Sequence, residues 1–183
     1  MNDFKLHDVD SAPEESKPLL KKSLDDFGMI PNLHAVMAEA PGTLEGYQKL
    51  HELVLNSSLN NDEKTVVWQT INVENQCHYC VPAHSGIARS MKVSEDIDNA
   101  LRDKTPLPDD KLEALRNFTL GVVRDRGNVS EKELNAFYEA GYGHRQVLEV
   151  ILTVSQKVMS NYINHIAKTP VDEPFKSFEW KAS

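Results

Sequence analysis

The residues best suited to do chemistry lie in one short stretch, residues 73–85. Cys77 and Cys80 are the only cysteines of the 183-residue chain, and His84 follows the second by four residues. On a helix these three side chains fall within about 60° of one another, because one turn takes about 3.6 residues. Two thiols so spaced can exchange two electrons by forming a disulfide, and a histidine on their face can move the proton of the attacking thiol. The spacing predicts a thiol redox centre.

The carboxylate nearest to the thiols in sequence is Glu74, one helical turn before Cys77. From that position we expect it to orient a proton carrier or to relay the proton itself. Trp68 and Tyr79 are expected to wall the cysteine site, although packing alone also explains them.

Two other interpretations of the cysteine stretch stay open. Cys77, His78, Cys80 and His84 offer four soft donors for a metal such as zinc, but structural zinc sites usually join two separate knuckles and no second cysteine pair exists. Alternatively, the cysteines are small apolar core residues and His84 is hydrogen-bonded inside the core. The missing second pair weakens the metal interpretation, and the histidine on the same face as the thiols weakens the core interpretation, so the redox interpretation is favoured.

The composition narrows the possible partners. The net charge of −8 and the lack of a basic cluster argue against a nucleic acid or an anionic membrane surface. The N-terminus lacks the apolar segment of a secretory signal, and no run reaches the roughly 18 apolar residues of a membrane span. We therefore expect a cytoplasmic location, where a lone close cysteine pair favours a redox or metal pair over a structural disulfide.

Helix signals recur along nearly the whole chain, so the predicted fold class is all-α. We expect one domain over residues 1–183, with irregular tails at 1–13 and 171–183. The residues that predict helix starts and ends are Pro18, Gly28, Pro31, Pro41, Asn60 with Glu63, Ser94, Asp109 or Asp110, Ser130 with Glu133, Gly141 and Gly143. The longest apolar periodicity predicts a helix over 144–167. No alternating strand pattern appears, which argues against a thioredoxin-like protein.

Residues 75–84, Asn-Gln-Cys-His-Tyr-Cys-Val-Pro-Ala-His, resemble the signature of the alkylhydroperoxidase AhpD-like family, within the carboxymuconolactone decarboxylase superfamily. That signature is N-x-C-x-x-C-x-x-x-H, often N-G-C-x-Y-C-x-x-A-H, and Asn75, Tyr79 and Ala83 agree with it together. Residues 27–33 and 161–166 also resemble flanking segments of family members, so the similarity covers most of residues 16–175.

The resemblance implies an AhpD-like helical bundle that assembles as a homo-oligomer and reduces hydroperoxides with electrons from an external dithiol. By position, Cys80 is then the attacking thiol, Cys77 the resolving thiol and His84 part of the proton relay. The family also uses a glutamate about twelve residues before the first cysteine, where this chain has Thr65.

Two departures from the family pattern bear on the site. The acids nearest to Thr65 and the thiols are Glu63 and Glu74, and we favour Glu74 as the substitute for the family glutamate. The glycine usual before the first cysteine is Gln76 here, which is expected to change how the helix begins.

Two further functions remain alternatives to the peroxidase. One is a redox-sensing or metal-binding module without turnover, and the other is a lyase resembling carboxymuconolactone decarboxylase. The cysteine pair weakens the lyase interpretation, because true decarboxylases of the superfamily generally lack it. No organic cofactor is expected, since no phosphate loop or dinucleotide fingerprint is visible.

Overall fold

The helices begin and end close to the caps that the sequence predicts. The computed structural model describes residues 4–182, and within that range no β-strand forms. The nine α-helices of this range are α1 (Lys17–Phe27), α2 (Asn32–Met37), α3 (Pro41–Leu55), α4 (Asn61–Glu74), α5 (Cys80–Ser90), α6 (Glu95–Arg102), α7 (Asp110–Arg124), α8 (Glu131–Glu139) and α9 (His144–Ala167). The all-α prediction is confirmed.

Local capping chemistry explains several of these boundaries. Asn60 accepts a hydrogen bond from the backbone N–H of Glu63 while the Glu63 side chain returns to the N–H of Asn60, so both capping partners are satisfied at the start of α4. Ser130 and Glu133 form the same reciprocal pair at α8. Gly28 ends α1 with a φ of 69°, a left-handed conformation that glycine adopts without a Cβ penalty.

Helix α4 lies at the centre of the fold. Every residue from Glu63 to Val73 is buried, because α5, α6, α7 and α9 all pack against this helix. An apolar cluster fills the space between α4 and helices α6, α7 and α8. Trp68, although buried on α4, is not part of this cluster. A second cluster, which contains both cysteines, joins α5 to the elements formed by the first 47 residues.

Helix α9 has an amphipathic pattern with its usual orientation largely reversed. Its inward face is mostly polar, and apart from Val150 the buried residues are Thr153, Gln156, Lys157, Ser160, Asn161 and Asn164. Its outward face carries large exposed apolar side chains, among them Leu148, Ile151 and Tyr162. Burying polar groups costs free energy unless they are hydrogen-bonded, so the inward face must find partners inside the fold.

The tail predictions hold only in part. Residues 4–13 contain no helix, as predicted, whereas Glu173–Phe178 form a 3-10 helix that packs against α5. The sequence does not predict this 3-10 helix, because six residues are too few to show an apolar periodicity. Residues 1–3 and 183, which belong to the predicted tails, lie outside the described residues. Among residues 4–182, no helix is both long enough and apolar enough to cross a membrane.

Candidate active site

A tight helix ending places the first cysteine. Helix α4 stops at Glu74, and Gln76 then adopts a left-handed φ of 53°. The backbone N–H of Gln76 bonds to the carbonyl of Val73, and that of Cys77 bonds to the carbonyl of Asn72. This is the Schellman pattern, whose left-handed position favours glycine. A glycine would adopt this conformation without strain from a Cβ atom, and this chain has Gln76 there.

The second cysteine opens helix α5, so Cys77 lies before the helix and does not share it with Cys80 and His84. Cys80 donates its backbone N–H to the Cys77 sulfur, with 3.3 Å between the nitrogen and Sγ. The two thiols also share a hydrogen bond, and neither is in a disulfide. Both side chains are buried, and the contact between the Cys80 N–H and the Cys77 sulfur places the two cysteines side by side.

The polar face of α9 surrounds Cys80 with hydrogen-bonding groups. Asn164 donates its side-chain N–H to the Cys80 sulfur over 3.3 Å, and the Ser160 hydroxyl lies 3.8 Å from the same sulfur. Lys157 is buried, and its Nζ lies 2.9 Å from Nε2 of His84. The polar stripe that looks out of place in a helix core is thus the lining of the thiol site.

These contacts favour the thiolate form of Cys80. Burial by itself raises the pKa of this thiol, but the hydrogen bond from Cys77, the charge of Lys157 and the contacts with Ser160 and Asn164 outweigh burial and lower the pKa to about 5. The same thiol–thiol hydrogen bond and burial raise the pKa of Cys77. The surroundings of the pair therefore favour the thiolate on Cys80 and the thiol on Cys77.

His84 is hydrogen-bonded to Lys157 through one ring nitrogen, while its other ring nitrogen has no partner among the described residues. Burial, reinforced by the neighbouring charge of Lys157, lowers the pKa of His84 well below its ordinary value, so the imidazole is neutral at pH 7. When the Lys157 ammonium donates to Nε2, the ring proton must sit on Nδ1. Nδ1 is buried and has no hydrogen-bond partner among the described residues. The site thus contains an N–H donor that no group within residues 4–182 satisfies.

A cavity of about 280 Å³ opens onto Cys80, His84 and Lys157. Cys80 lines this cavity, whereas Cys77 is not among the lining residues and is fully buried. Aromatic side chains contribute much of the remaining wall, with Tyr79 among them as the sequence suggested. Trp68 packs its ring 4.9 Å from that of His84. A molecule in the cavity would reach only the second thiol.

Two histidines beyond the predicted set also line the cavity. Burial lowers the pKa of His34 to about 3 and that of His51 to about 4, so both rings are neutral at pH 7. His51 Nδ1 accepts from the Gln156 amide, which in turn accepts from the Trp68 indole N–H. The aromatic and neutral imidazole wall suits an uncharged molecule.

Glu74 lies apart from the thiols. Its carboxylate forms a two-point ion pair with the Arg124 guanidinium, at 2.7 and 2.8 Å, and Arg124 lowers the pKa of Glu74. Glu74 does not line the cavity of Cys80. Because helix α4 ends at Glu74 and the chain then reverses, one turn of sequence separation does not translate into one shared helix face. Within one protomer, the structure does not bring Glu74 to the redox pair.

The possible metal donors do not converge either. His78 is exposed and hydrogen-bonded to the carbonyl of Thr169, and His84 is engaged by Lys157. Within residues 4–182, no group of three or more His, Cys, Asp or Glu side chains is placed to hold an ion.

Sequence reasoning missed Lys157, Ser160 and Asn164. All three lie at helical spacing on α9, and a polar stripe in the longest helix of the chain was the available signal. From the sequence alone, that polar stripe indicates a face exposed to solvent, because a lysine is rarely buried unless it has a specific partner.

Comparisons with known proteins support the fold. No protein-family model and no curated protein sequence matches the chain. Solved structures do match. One is described as an alkylhydroperoxidase AhpD core, an uncharacterized peroxidase-related protein from Ralstonia eutropha JMP134. It has a TM-score of 0.82 and 19% identity, over 94% of this chain and 93% of that one.

Two further structures are similar over nearly the whole chain. An uncharacterized peroxidase-related protein from Silicibacter sp. TM1040 has a TM-score of 0.78 and 16% identity, over 94% of both chains. A substituted debrominase Bmp8, in complex with 2,3,4-tribromopyrrole, has a TM-score of 0.78 and 13% identity, over 95% of this chain and 93% of that one. The chain therefore has the AhpD-like all-α fold, and the resemblance seen in residues 75–84 is confirmed at the level of the fold.

Proposed function

We propose that this protein is a thiol-dependent oxidoreductase that reduces hydroperoxides. The observation that carries the proposal is the asymmetry of the two thiols. Cys80 lines the cavity and has a pKa of about 5, while Cys77 lies behind it with a raised pKa and within hydrogen-bonding distance. An attacking thiolate and a resolving thiol require this arrangement.

The proposed reaction has two steps. The Cys80 thiolate attacks the hydroxyl oxygen of ROOH, the O–O bond breaks, and Cys80 becomes a sulfenic acid. The departing RO⁻ takes the Nδ1 proton of His84 to become ROH, the Lys157 ammonium gives a proton to Nε2 of His84, and solvent reprotonates Lys157. The Cys77 sulfur then attacks the Cys80 sulfur, and the sulfenic hydroxyl departs with the thiol proton as water. The product is a Cys77–Cys80 disulfide. An external dithiol returns both cysteines to thiols and becomes a disulfide itself.

In this scheme His84 acts on the substrate rather than on the thiol. Cys80 is already a thiolate at neutral pH, so no base is needed to remove its proton. The unsatisfied Nδ1–H of His84 instead donates to the oxygen that leaves. Lys157 has two effects, since its charge favours the thiolate and its hydrogen bond fixes the ring proton of His84 on Nδ1.

Reductive dehalogenation of a small aromatic compound is a second candidate. The similarity to debrominase Bmp8 and the aromatic residues of the cavity wall, Phe27, Tyr47 and Tyr79, favour it. The Cys80 thiolate would take the bromine from carbon, a proton would replace it there, and Cys77 would then displace bromide to form the same disulfide. Both reactions consume two thiols, so their products must tell them apart.

We also propose a homo-oligomer, in which a second copy covers the outward apolar face of α9. Leu148, Ile151 and Tyr162 recur along one side of that helix and are exposed in the single chain. Contiguous apolar surface of this kind typically marks a protein interface.

The experiment that tests the function is a thiol count before and after oxidation. The denatured, reduced protein should show two free thiols, and after one equivalent of cumene hydroperoxide close to none. Cys77→Ser should stop at a sulfenic acid on Cys80 that dimedone traps, and Cys80→Ser should show no fast reaction. With dithiothreitol present, the wild-type protein should consume many equivalents of peroxide, which a sensor without turnover would not.

The alternatives predict different results. Thiols that survive peroxide for hours, or zinc that elutes at one per chain, would exclude the peroxidase. Bromide released from 2,3,4-tribromopyrrole, faster than any peroxide is consumed, would select dehalogenation instead. Activity that persists without either cysteine would point to a lyase.

A further inference from the structure

The segment after α9 runs back along α5, the helix that Cys80 begins. The carbonyl of Thr169 bonds to His78, and the buried Asp172 carboxylate accepts from the Tyr79 hydroxyl at 2.5 Å and from the backbone N–H of Asn32 at 2.9 Å. These contacts fix the start of the Glu173–Phe178 3-10 helix next to the cysteine turn. That placement brings Phe175 to the cavity wall.

The position of the Phe175 ring depends on the absence of a side chain at Gly86. It packs against the apolar cluster that contains both cysteines, and its ring lies against the backbone of Gly86 on α5. A Cβ atom at residue 86 would lie 2.5 and 2.6 Å from two ring carbons of Phe175, closer than non-bonded carbons approach. Gly86 has no φ that demands glycine, so the ring is what the missing side chain accommodates. Both residues line the cavity with Cys80 and His84.

We propose that Phe175, seated on Gly86, sets the size of the molecule that reaches Cys80. The proposal deepens the function proposed above, on which its substrate part rests. With the ring in place, the cavity accepts a compact, uncharged molecule with one acceptor atom for His84 Nδ1. Removing the ring opens the wall beside the thiolate and admits bulkier molecules. Phe175 is therefore a specificity-determining residue that takes no part in the chemistry.

Alkylation of Cys80 tests this inference without relying on turnover. Rates are measured for iodoacetamide, which is small, and N-phenylmaleimide, which is bulky, with the modified cysteine mapped by peptide mass spectrometry. Phe175→Ala should raise the N-phenylmaleimide rate relative to the iodoacetamide rate by roughly tenfold or more, the scale expected when a pocket contact is removed. Phe178→Ala is the matched control, because Phe178 lies on the same 3-10 helix but outside the cavity lining, near Arg89. It should leave the ratio unchanged.

A double-mutant comparison tests the contact between the Phe175 ring and residue 86. Gly86→Ala should alter the reagent ratio in the wild-type background, because the added Cβ displaces the Phe175 ring. It should have no further effect in Phe175→Ala, where no ring remains to be displaced. The more conservative Phe175→Leu provides an intermediate ratio if Phe175→Ala unfolds.

Three results would overturn the inference: equal ratios in Phe175→Ala, Phe175→Leu and wild type; an equal change in Phe178→Ala; or an undiminished effect of Gly86→Ala without the ring. If the alkylation results hold, kcat/KM for cumene hydroperoxide relative to hydrogen peroxide should rise in Phe175→Ala by a similar factor. If the alkylation rates change as expected but the kcat/KM ratio of the two hydroperoxides does not, the result would count against the peroxidase function. It would not count against Phe175 as the residue that limits access to Cys80.

Discussion

A buried lysine is the residue that most distinguishes this thiol site. Lys157 lies on the inward face of α9, where it is hydrogen-bonded to His84 and its charge lowers the pKa of Cys80. The chain has Thr65 at the position of the family glutamate, and Glu74 is committed to Arg124. In the reaction that we propose, the lowered pKa of Cys80 takes the place of a carboxylate base in the first step.

The pH dependence of Cys80 reactivity should report on Lys157. Cys80 is an acid with a lowered pKa, so its thiolate is present above about pH 5 and is lost as the pH falls through that value. Lys157→Met should shift the midpoint upward, because it removes a charge that favours the thiolate. A rise of about one pKa unit would slow iodoacetamide labelling by roughly twofold at pH 6 and by nearly tenfold at pH 4, because the thiolate fraction falls by those factors. Labelling rates between pH 4 and 9 measure this. Lys132→Met removes an exposed charge on α8 and should leave the midpoint in place; an unshifted midpoint in Lys157→Met would count against the assignment.

Glu74 offers a contrasting prediction. Because its carboxylate pairs with Arg124 away from the cavity, Glu74→Gln should leave the labelling rate and peroxide consumption within about twofold of wild type, and should lower the free energy of unfolding by at most about 1 kcal/mol, as expected for a partly exposed ion pair. Arg124→Gln should have the same small effect. A loss near 10²-fold in Glu74→Gln, the size of one acid–base contribution, would return the proton relay to this residue.

At the scale of elements, the turn between α4 and α5 decides where the thiols lie. The Schellman pattern closes α4, and three residues later Cys80 begins α5 with its N–H on the Cys77 sulfur. The turn thus places one cysteine behind the other as seen from the cavity. The left-handed position of this turn is occupied by Gln76, which has a Cβ atom, rather than by a glycine.

Replacing that residue by glycine should stabilise the protein. Gln76 is exposed, and its φ of 53° strains any side chain, so Gln76→Gly should raise the free energy of unfolding by up to about 1 kcal/mol. The gain is limited because glycine also makes the unfolded chain more flexible. Thermal or urea unfolding measures it. Gln76→Ala keeps a Cβ atom and should bring no comparable gain; a lower Tm in Gln76→Gly would show that the Gln76 side chain contributes contacts of its own.

For the whole molecule, the orientation of α9 connects the site to assembly. The helix turns its polar face inward to serve the thiols, which leaves Leu148, Ile151 and Tyr162 on the outside. A single copy of the chain exposes this apolar face to water. Our proposal of a homo-oligomer follows from that cost.

Light scattering after size-exclusion chromatography should give a mass that is a multiple of 20.6 kDa at micromolar protein. Leu148→Glu combined with Ile151→Glu should shift the protein toward the single chain, because two carboxylates would have to be buried at the contact. Lys132→Glu changes an exposed residue of α8 and should not. A wild-type mass of one chain would refute the oligomer, and an unchanged oligomer in the double variant would move the contact to another face.

The sequence by itself determined the local features of this protein. Capping pairs such as Asn60 with Glu63, the left-handed Gly28 and the periodicity over 144–167 depend on residues within a few positions of one another, and each predicted its helix. The spacing of Cys77, Cys80 and His84 identified the candidate site in the same way. These features could be predicted because short-range hydrogen bonding and periodicity decide them.

Only the tertiary structure decided which residues complete the site. Lys157 and Asn164 reach His84 and Cys80 across 73 and 84 residues of sequence, while Glu74, three residues from Cys77, turns away to Arg124. The packing of α5, α9 and the C-terminal 3-10 helix decides which thiol faces the cavity and brings Phe175 to its wall. The physical reason is that the pKa of a buried thiol depends on charges and donors brought to it in space, and helix packing over long range sets those neighbours.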